Sequence, residues 1–238
     1  MKYNNTIRGI FVERPNRFIA YVRLEGQSDI VICHVKNTGR CRELLVKGCI
    51  VILQDFRNNK GNRKTDFDLI AVYKGNMLVN MDSQAPNAVA YEWISSGGYD
   101  GCVSDLRREV KYNNSRFDIF FTRNGNPGFV EVKGVTLENN GVVSFPDAPT
   151  QRGVKHIYEL MKAKEEGYEA AILFVVQMES AEYFIPNYKM QPEFQTALLE
   201  AAKKGVAIKA VCCQVQEDYL KITHEIPIKL TEDMYYEK

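Results

Sequence analysis

Apolar and polar residues alternate in short runs over the first third of the chain, and then the period changes. Residues 1 to about 82 carry five β-type runs: IRGIFVE, RFIAYVRL, DIVICHV, CIVILQDF and FDLIAVY. Turn-forming residues separate them at Arg14-Pro15-Asn16, Glu25-Gly26, Asn37-Thr38-Gly39 and Asn58 to Asn62. The stretch Arg40 to Val46 reads as a brief helix that interrupts the series. Five short strands with a helical insert predict a small closed barrel, of which the OB fold is one option.

After Asp82 the apolar positions take helical spacing. Val89, Ala90, Trp93 and Ile94 share a face, Pro86 sits at a helix start, and Gly97-Gly98 follows the end. RREVKY, RFDIFFT and GFVEVKGV come next, separated by Asn113-Asn114 and Asn124-Gly125-Asn126, and predict an antiparallel meander of three strands. A helix follows from Thr150, its expected N-cap, with Val154, Ile157, Leu160 and Met161 inward and Gly167 as the stop. AAILFVVQ and VAIKAVCCQV lack alternation, as strands buried on both faces do, and PEFQTALLEAAKKG between them is a helix with Phe194, Leu198 and Ala201 inward. The order α-βββ-α-β-α-β predicts an α/β domain with a mixed sheet. The expected division is a barrel at residues 1–82 and an α/β domain at residues 83–238.

Composition narrows the class. The chain has 238 residues, 45% of them hydrophobic and 26% charged, enough for a sizeable core. No run approaches the roughly 20 apolar residues that span a bilayer. The start, MKYNNTIRGIFVERP, shows no secretory signal, so the expected location is the cytoplasm. The cysteines at 33, 41, 49, 102, 212 and 213 form no C-x-x-C pair and read as reduced thiols rather than a zinc site. Neither a phosphate-cradling G-x-x-x-x-G-K-[ST] nor a Gly-rich dinucleotide turn is present, against an NTPase or a dehydrogenase. Net charge is only +1, so nucleic-acid binding requires a local patch. Two basic groups stand out in the linear sequence: Arg57, Lys60, Arg63 and Lys64, and Arg107, Arg108, Lys111 and Arg116.

The chemistry lies in the meander. Strand residues of equal parity share a face, which puts Arg116 and Asp118 opposite Phe117, Ile119 and Phe121, and Glu131 and Lys133 opposite Val130 and Val132. Charged groups in apolar strands are costly unless paired or used. Asp118 and Glu131 are hard oxygen ligands suited to Mg²⁺ or Mn²⁺, and Lys133 suits orienting a water or neutralising charge on a phosphate. Glu109-Val110-Lys111 repeats the tripeptide of Glu131-Val132-Lys133, but only Asp105 precedes it, too close to form a separate strand and expected in a turn. Arg152, Lys155 and His156, at the start of the helix after Thr150, are placed to grip a phosphate. His34 and Arg40 can reach nucleic acid from the barrel. Tyr3, Phe11, Phe18 and Tyr21 suit base stacking if exposed and barrel core if not. His224 reads as a surface residue of a terminal strand.

Asp, a hairpin and Glu-x-Lys in this context resemble the PD-(D/E)XK, or restriction-endonuclease-like, superfamily. More of the chain resembles the sugar fermentation stimulation protein A (SfsA) family. The segments are His34 to Arg40, Arg63-Lys64-Thr65, Ala85-Pro86-Asn87, Glu109 to Tyr112, Ser115 to Asp118, Glu131 to Lys133, Phe145-Pro146-Asp147-Ala148 and Arg152 to His156. The resemblance implies an OB-like barrel, a nuclease-like domain and association with DNA or RNA. It marks Asp118, Glu131 and Lys133, with Glu109 as the outer acid or, where that acid stands on the first helix, Glu92. Phe117 stands where the superfamily often has proline. The expectation is a Mg²⁺- or Mn²⁺-dependent nuclease: Asp118 and Glu131 hold metal, Lys133 and Glu109 assist, and Arg116, Arg152, His156 and Arg40 contact substrate. The alternatives are a non-catalytic DNA-binding regulator of sugar metabolism on the same scaffold, and an enzyme acting on small phosphates.

Overall fold

The computed structural model describes residues 1–37 and 39–230; Thr38, within the expected Asn37–Gly39 turn, and residues 231–238 lie outside them. The first five strands are β1 (Thr6–Asn16), β2 (Ile19–Leu24), β3 (Ile30–Val35), β4 (Ile50–Asp55) and β5 (Phe67–Lys74). Antiparallel pairing joins β3 to β2, β2 to β1, β1 to β4 and β4 to β5. The barrel shuts where β3 meets β5 in parallel, from Cys33↔Phe67 to Val35↔Leu69. Ala20, Val22 and Leu24, at alternate positions, point inward with Phe11, Val51 and Leu53. Closure removes the open edges that strands this apolar would otherwise present.

Two details differ from the sequence expectation. A sixth strand, β6 (Met77–Asn80), doubles back on β5 across Gly75-Asn76; its four residues are too few to declare a period. Arg40 to Val46 is not helical but a series of turns, with one backbone bond of helical span, Leu45 N–H to Cys41 O at 3.0 Å. Cys41 takes a left-handed backbone (φ +45°), and the segment instead drives Leu44 and Leu45 into the barrel core. Burial of two adjacent leucines overrides the local preference.

The remaining elements are α1 (Ala85–Ser95), β7 (Val103–Tyr112), β8 (Ser115–Arg123), β9 (Asn126–Val135), β10 (Leu137–Asn139), β11 (Val142–Phe145), α2 (Gln151–Glu165), β12 (Glu169–Val176), β13 (Tyr183–Pro186), α3 (Pro192–Lys203), β14 (Ala207–Gln216) and β15 (Tyr219–Glu225). Six of them form a mixed sheet in the order β15-β14-β12-β9-β8-β7, with β9, β12 and β14 mutually parallel. Val89, Ala90 and Ile94 of α1 cover one face, over Ile119, Val130 and Val132. Ile157 and Leu160 of α2 and Phe194 and Leu198 of α3 cover the other, over Phe129 and Phe174. The small sheet β10-β11-β13 was not legible, because its strands have only three or four residues.

Residues 1–82 and the rest meet through a buried polar network rather than a linker. The Asp82 carboxylate is fully buried and accepts from Lys36 Nζ at 2.6 Å and Tyr3 Oη at 3.2 Å. Gln177 Nε2 donates to Asn80 Oδ1 at 2.9 Å and to the Asp82 carbonyl at 3.0 Å. Such a charge is tolerated inside only with partners of this kind. No helix among the described residues is long and apolar enough to cross a membrane.

The N-cap of α2 is as read: Thr150 Oγ1 accepts from Gly153 N–H at 3.0 Å. Thr150→Ala is expected to cost about 1 kcal/mol, measured as a lower denaturant midpoint with unchanged slope. An unchanged midpoint would mean that the cap contributes nothing to this helix.

Candidate functional site

The ladder between β8 and β9 runs only from Ile119↔Val130 to Arg123↔Asn126. Beyond it β9 continues beside β12, so the Val132 N–H loses its strand partner on the β8 side. Asp118 supplies the replacement: its Oδ2 accepts from Val132 N–H at 2.8 Å, and its Oδ1 accepts from Asn87 Nδ2 of α1 at 2.7 Å. An unpaired strand amide is thereby satisfied by a side chain. The same departure breaks the expected parity of β8. Phe117 packs on the α2 side, its ring 5.1 Å from that of Phe129, whereas Ile119 and Phe121 pack on the α1 side.

Glu131 is almost wholly buried, at 2% exposure. Its Oε1 accepts from Lys133 Nζ and is bonded to His156 Nδ1 of α2, each at 2.5 Å. Its Oε2 is buried and has no partner among the described residues. Buried polar atoms are as a rule satisfied, and an anionic oxygen left bare costs about 1–3 kcal/mol or more. The ring nitrogen of His156 on the far side, Nε2, faces Arg152 Nε at 3.4 Å. Acceptance at Nε2 leaves Nδ1 as the ring nitrogen that donates to Glu131.

The two carboxyls are pushed apart in acidity. Burial, and then the Glu131 charge, raise Asp118 to about 6, against the opposing pull of the Val132 amide, Lys133 and Asn87. Burial also disfavours ionised Glu131, but the His156 hydrogen bond and the Lys133 charge outweigh it and hold that carboxyl below the usual range. An ionised Glu131 that makes ionisation of Asp118 costlier forms an environment that a cation relieves.

Other expected residues stand elsewhere. Register places Glu109 opposite Asp118, between the pairs Arg108↔Ile119 and Val110↔Phe117, but its backbone is left-handed (φ +53°) and its exposed carboxylate bonds Arg116 at 3.2 Å. Glu92, the helix alternative, bonds the Met1 amino group at 2.6 Å. Asp105 lies in β7 at a bulge rather than in a turn, paired with Arg107 at 3.1 Å. His156, expected to contact a phosphate, is 6% exposed and braces Glu131; Arg152 and Lys155 are exposed. Arg40 belongs to a separate hollow in the barrel. Tyr3 and Phe11 are core, Phe18 is 51% exposed, and His224 is exposed on β15. Sequence reading gave Asn87 no role, although it follows a helix-opening proline and closes the Ala85-Pro86-Asn87 segment that carries the resemblance.

The donor set suits a hydrated hard cation. Among the described residues no group of three or more His, Cys, Asp or Glu side chains is arranged to hold a metal ion. Mg²⁺ is typically bound by one or two carboxylates and keeps several waters, so two carboxylates with one bare oxygen fit it.

Known proteins are similar over nearly the whole chain. A family model described as the SfsA N-terminal OB domain matches residues 12–81, and one described as the sugar fermentation stimulation protein RE domain matches residues 84–219. A sugar fermentation stimulation protein homolog of Ruminiclostridium cellulolyticum is 50% identical over 230 residues, covering 97% of this chain and 100% of that one. One from Desulfitobacterium hafniense is 50% identical over 234 residues, covering 98% and 100%. The structure of Pyrococcus furiosus SfsA in complex with Ca²⁺ superimposes with a TM-score of 0.85 at 26% identity, covering 96% of this chain and 98% of that one.

Proposed function

The chain belongs to the sugar fermentation stimulation protein (SfsA) family, and from that premise we propose that it is a divalent-cation-dependent nuclease acting on DNA or RNA in the cytoplasm. The observation that carries the reading is the bare, buried Oε2 of Glu131, whose charge is near enough to act on the half-buried Asp118 carboxyl. Asp118 and Glu131 are the residues that would hold Mg²⁺ or Mn²⁺. Such an ion, when bound, polarises a phosphodiester and lowers the pKa of a bound water. The Ca²⁺ in complex with the Pyrococcus furiosus relative supports a divalent ion with oxygen ligands.

The chain's own residues supply the rest. Asn87 and the Val132 amide fix Asp118. Lys133 and His156 both occupy Oε1 of Glu131, which keeps Oε2 free. The Lys133 ammonium, only 17% exposed, is positioned to orient water or neutralise charge growing on a phosphate, where exclusion of solvent strengthens its effect. Arg152, exposed at the start of α2, is suited to the substrate's phosphate.

The name carried by the relatives favours one other reading, a nucleic-acid-binding regulator without hydrolysis. Single- and double-stranded DNA and RNA, incubated with Mg²⁺, Mn²⁺ or EDTA, separate the two. Cleavage with either ion and none in EDTA is expected. Salt-dependent binding without cleavage under any divalent ion would leave the regulator.

A further inference from the structure

The two basic groups that stand out in the sequence are largely neutralised in the fold. Arg57 pairs with Asp55, Lys60 with Asp66 and Arg63 with Asp68. Arg107 pairs with Asp105, and Arg116 with Glu109. A different set, scattered along the chain, is not. Arg14, Arg17, Arg40, Arg42 and Lys47 line one cavity of about 460 Å³ in the barrel, and no acidic residue lines it. Among the described residues none of these five cations has a carboxylate within 4.0 Å. Arg14 spends its guanidinium on four carbonyls, those of Arg17, Asn37, Gly39 and Arg40, and so ties the β1–β2 turn to the loop after β3. Its partners are carbonyl dipoles rather than a carboxylate. Arg17, Arg40, Arg42 and Lys47 are exposed around it, above a floor of Phe11 and Leu45.

In a protein of net charge +1, five unpaired cations around one hollow mark an anion site. One phosphate is satisfied by two or three of them, whereas five suit a chain of phosphates. Neighbouring hollows continue the path. One, lined by Asn37, Gly39, Ser83 and Asp147, reaches Gly134, the residue after Lys133. Another, beside it at Asn37 and Ser83, is lined by Lys36, His34 and the exposed Phe18. We propose that the Arg17–Arg40–Arg42–Lys47 cavity is a binding site for the sugar-phosphate backbone of a polynucleotide, seated on the barrel away from the Asp118–Glu131 centre. The inference rests on nucleic acid being the substrate, and it specifies where the chain grips it.

The test is binding in EDTA, where metal-dependent cleavage plays no part. A fluorescent single-stranded 20-mer is titrated by anisotropy from 50 to 300 mM salt against three proteins: wild type, Arg17→Gln/Arg42→Gln/Lys47→Gln, and Arg57→Gln/Lys60→Gln/Lys64→Gln. The last loses the same charge from the largely paired loop. Because the altered side chains are exposed, all three proteins are expected to melt at the same temperature. The cavity variant is expected to bind about 10- to 100-fold more weakly, with a log–log salt slope shallower by about 2, at about 0.7 for each phosphate no longer neutralised. The loop variant is expected within about threefold of wild type. Equal loss in both variants, no loss in the cavity variant, or no oligonucleotide binding by wild type would overturn the inference. So would competition by inorganic phosphate as effective, per phosphate, as unlabelled 20-mer, since that describes a small-anion site. Failure of hydrolysis, by contrast, would remove the nuclease reading and leave this binding result intact.

Discussion

Lys133→Ala is expected to lower the rate of Mg²⁺-dependent cleavage by roughly 10²- to 10³-fold, the usual cost of deleting one preorganised group that meets charge developing in a transition state. The loss should fall on the single-turnover rate, with polynucleotide affinity in EDTA little changed. Two effects combine. The ammonium that would face the phosphate is gone, and Glu131 Oε1 keeps only His156 as partner. With the Lys133 charge removed, burial lifts the Glu131 carboxyl. Lys133→Ala cleaving as fast as wild type would remove Lys133 from the chemistry.

The second expectation concerns stability. Burial and the Glu131 charge raise the Asp118 carboxyl from the ordinary 3.8 to about 6. The folded chain therefore holds that proton more tightly than the unfolded chain. Its stabilising contribution is complete below the unfolded value near 3.8 and is lost as pH rises through about 6. At pH 7 without metal, ionised Asp118 is a cost of about 2–3 kcal/mol, from two pKa units at 1.36 kcal/mol each. Asp118→Asn removes the charge, and a turned Asn87 amide can still bond it. In EDTA at pH 7 the variant is expected to melt several degrees above wild type, with the gap closing toward pH 4. It should also lose the Mg²⁺-induced stabilisation expected of wild type. Glu131 shifts the opposite way, below its ordinary 4.5, so of the two carboxyls Asp118 is the one that titrates between pH 5 and 7. A variant less stable than wild type at pH 7 in EDTA would mean that Asp118 is a structural anion.

These expectations rest on residues whose visibility in the sequence differs for physical reasons. Asp118, Glu131 and Lys133 are legible because charge within apolar strands violates strand composition and the hairpin between them is short. The bracing by His156 is not: it lies 25 residues from Glu131 in sequence, and its spacing at the start of an amphipathic helix also fits a solvated turn. Asn87 acts across 31 residues and is an ordinary first-turn polar residue. Period alone recovers the barrel and the order of the larger elements, because alternation and burial on both faces are properties of single segments. It misses the bulge at Asp105, the positive φ that the non-glycine residues Asp105 and Glu109 take, and the three- and four-residue strands. Linear proximity misleads about charge. Arg57 to Lys64 looks like a patch, yet Asp55, Asp66 and Asp68 flank it in the same stretch, whereas Arg14 to Lys47 converge only when the barrel closes.

The central claim is that one divalent ion sits between Asp118 and Glu131. Crystals of the protein soaked in Mn²⁺, with anomalous differences collected at the manganese edge, test it directly. The expected result is a peak about 2.0–2.3 Å from Glu131 Oε2 and an Asp118 oxygen, with waters completing the shell. Mn²⁺ at a concentration that supports cleavage, yet with no peak between these carboxylates or with its peak elsewhere, would contradict it.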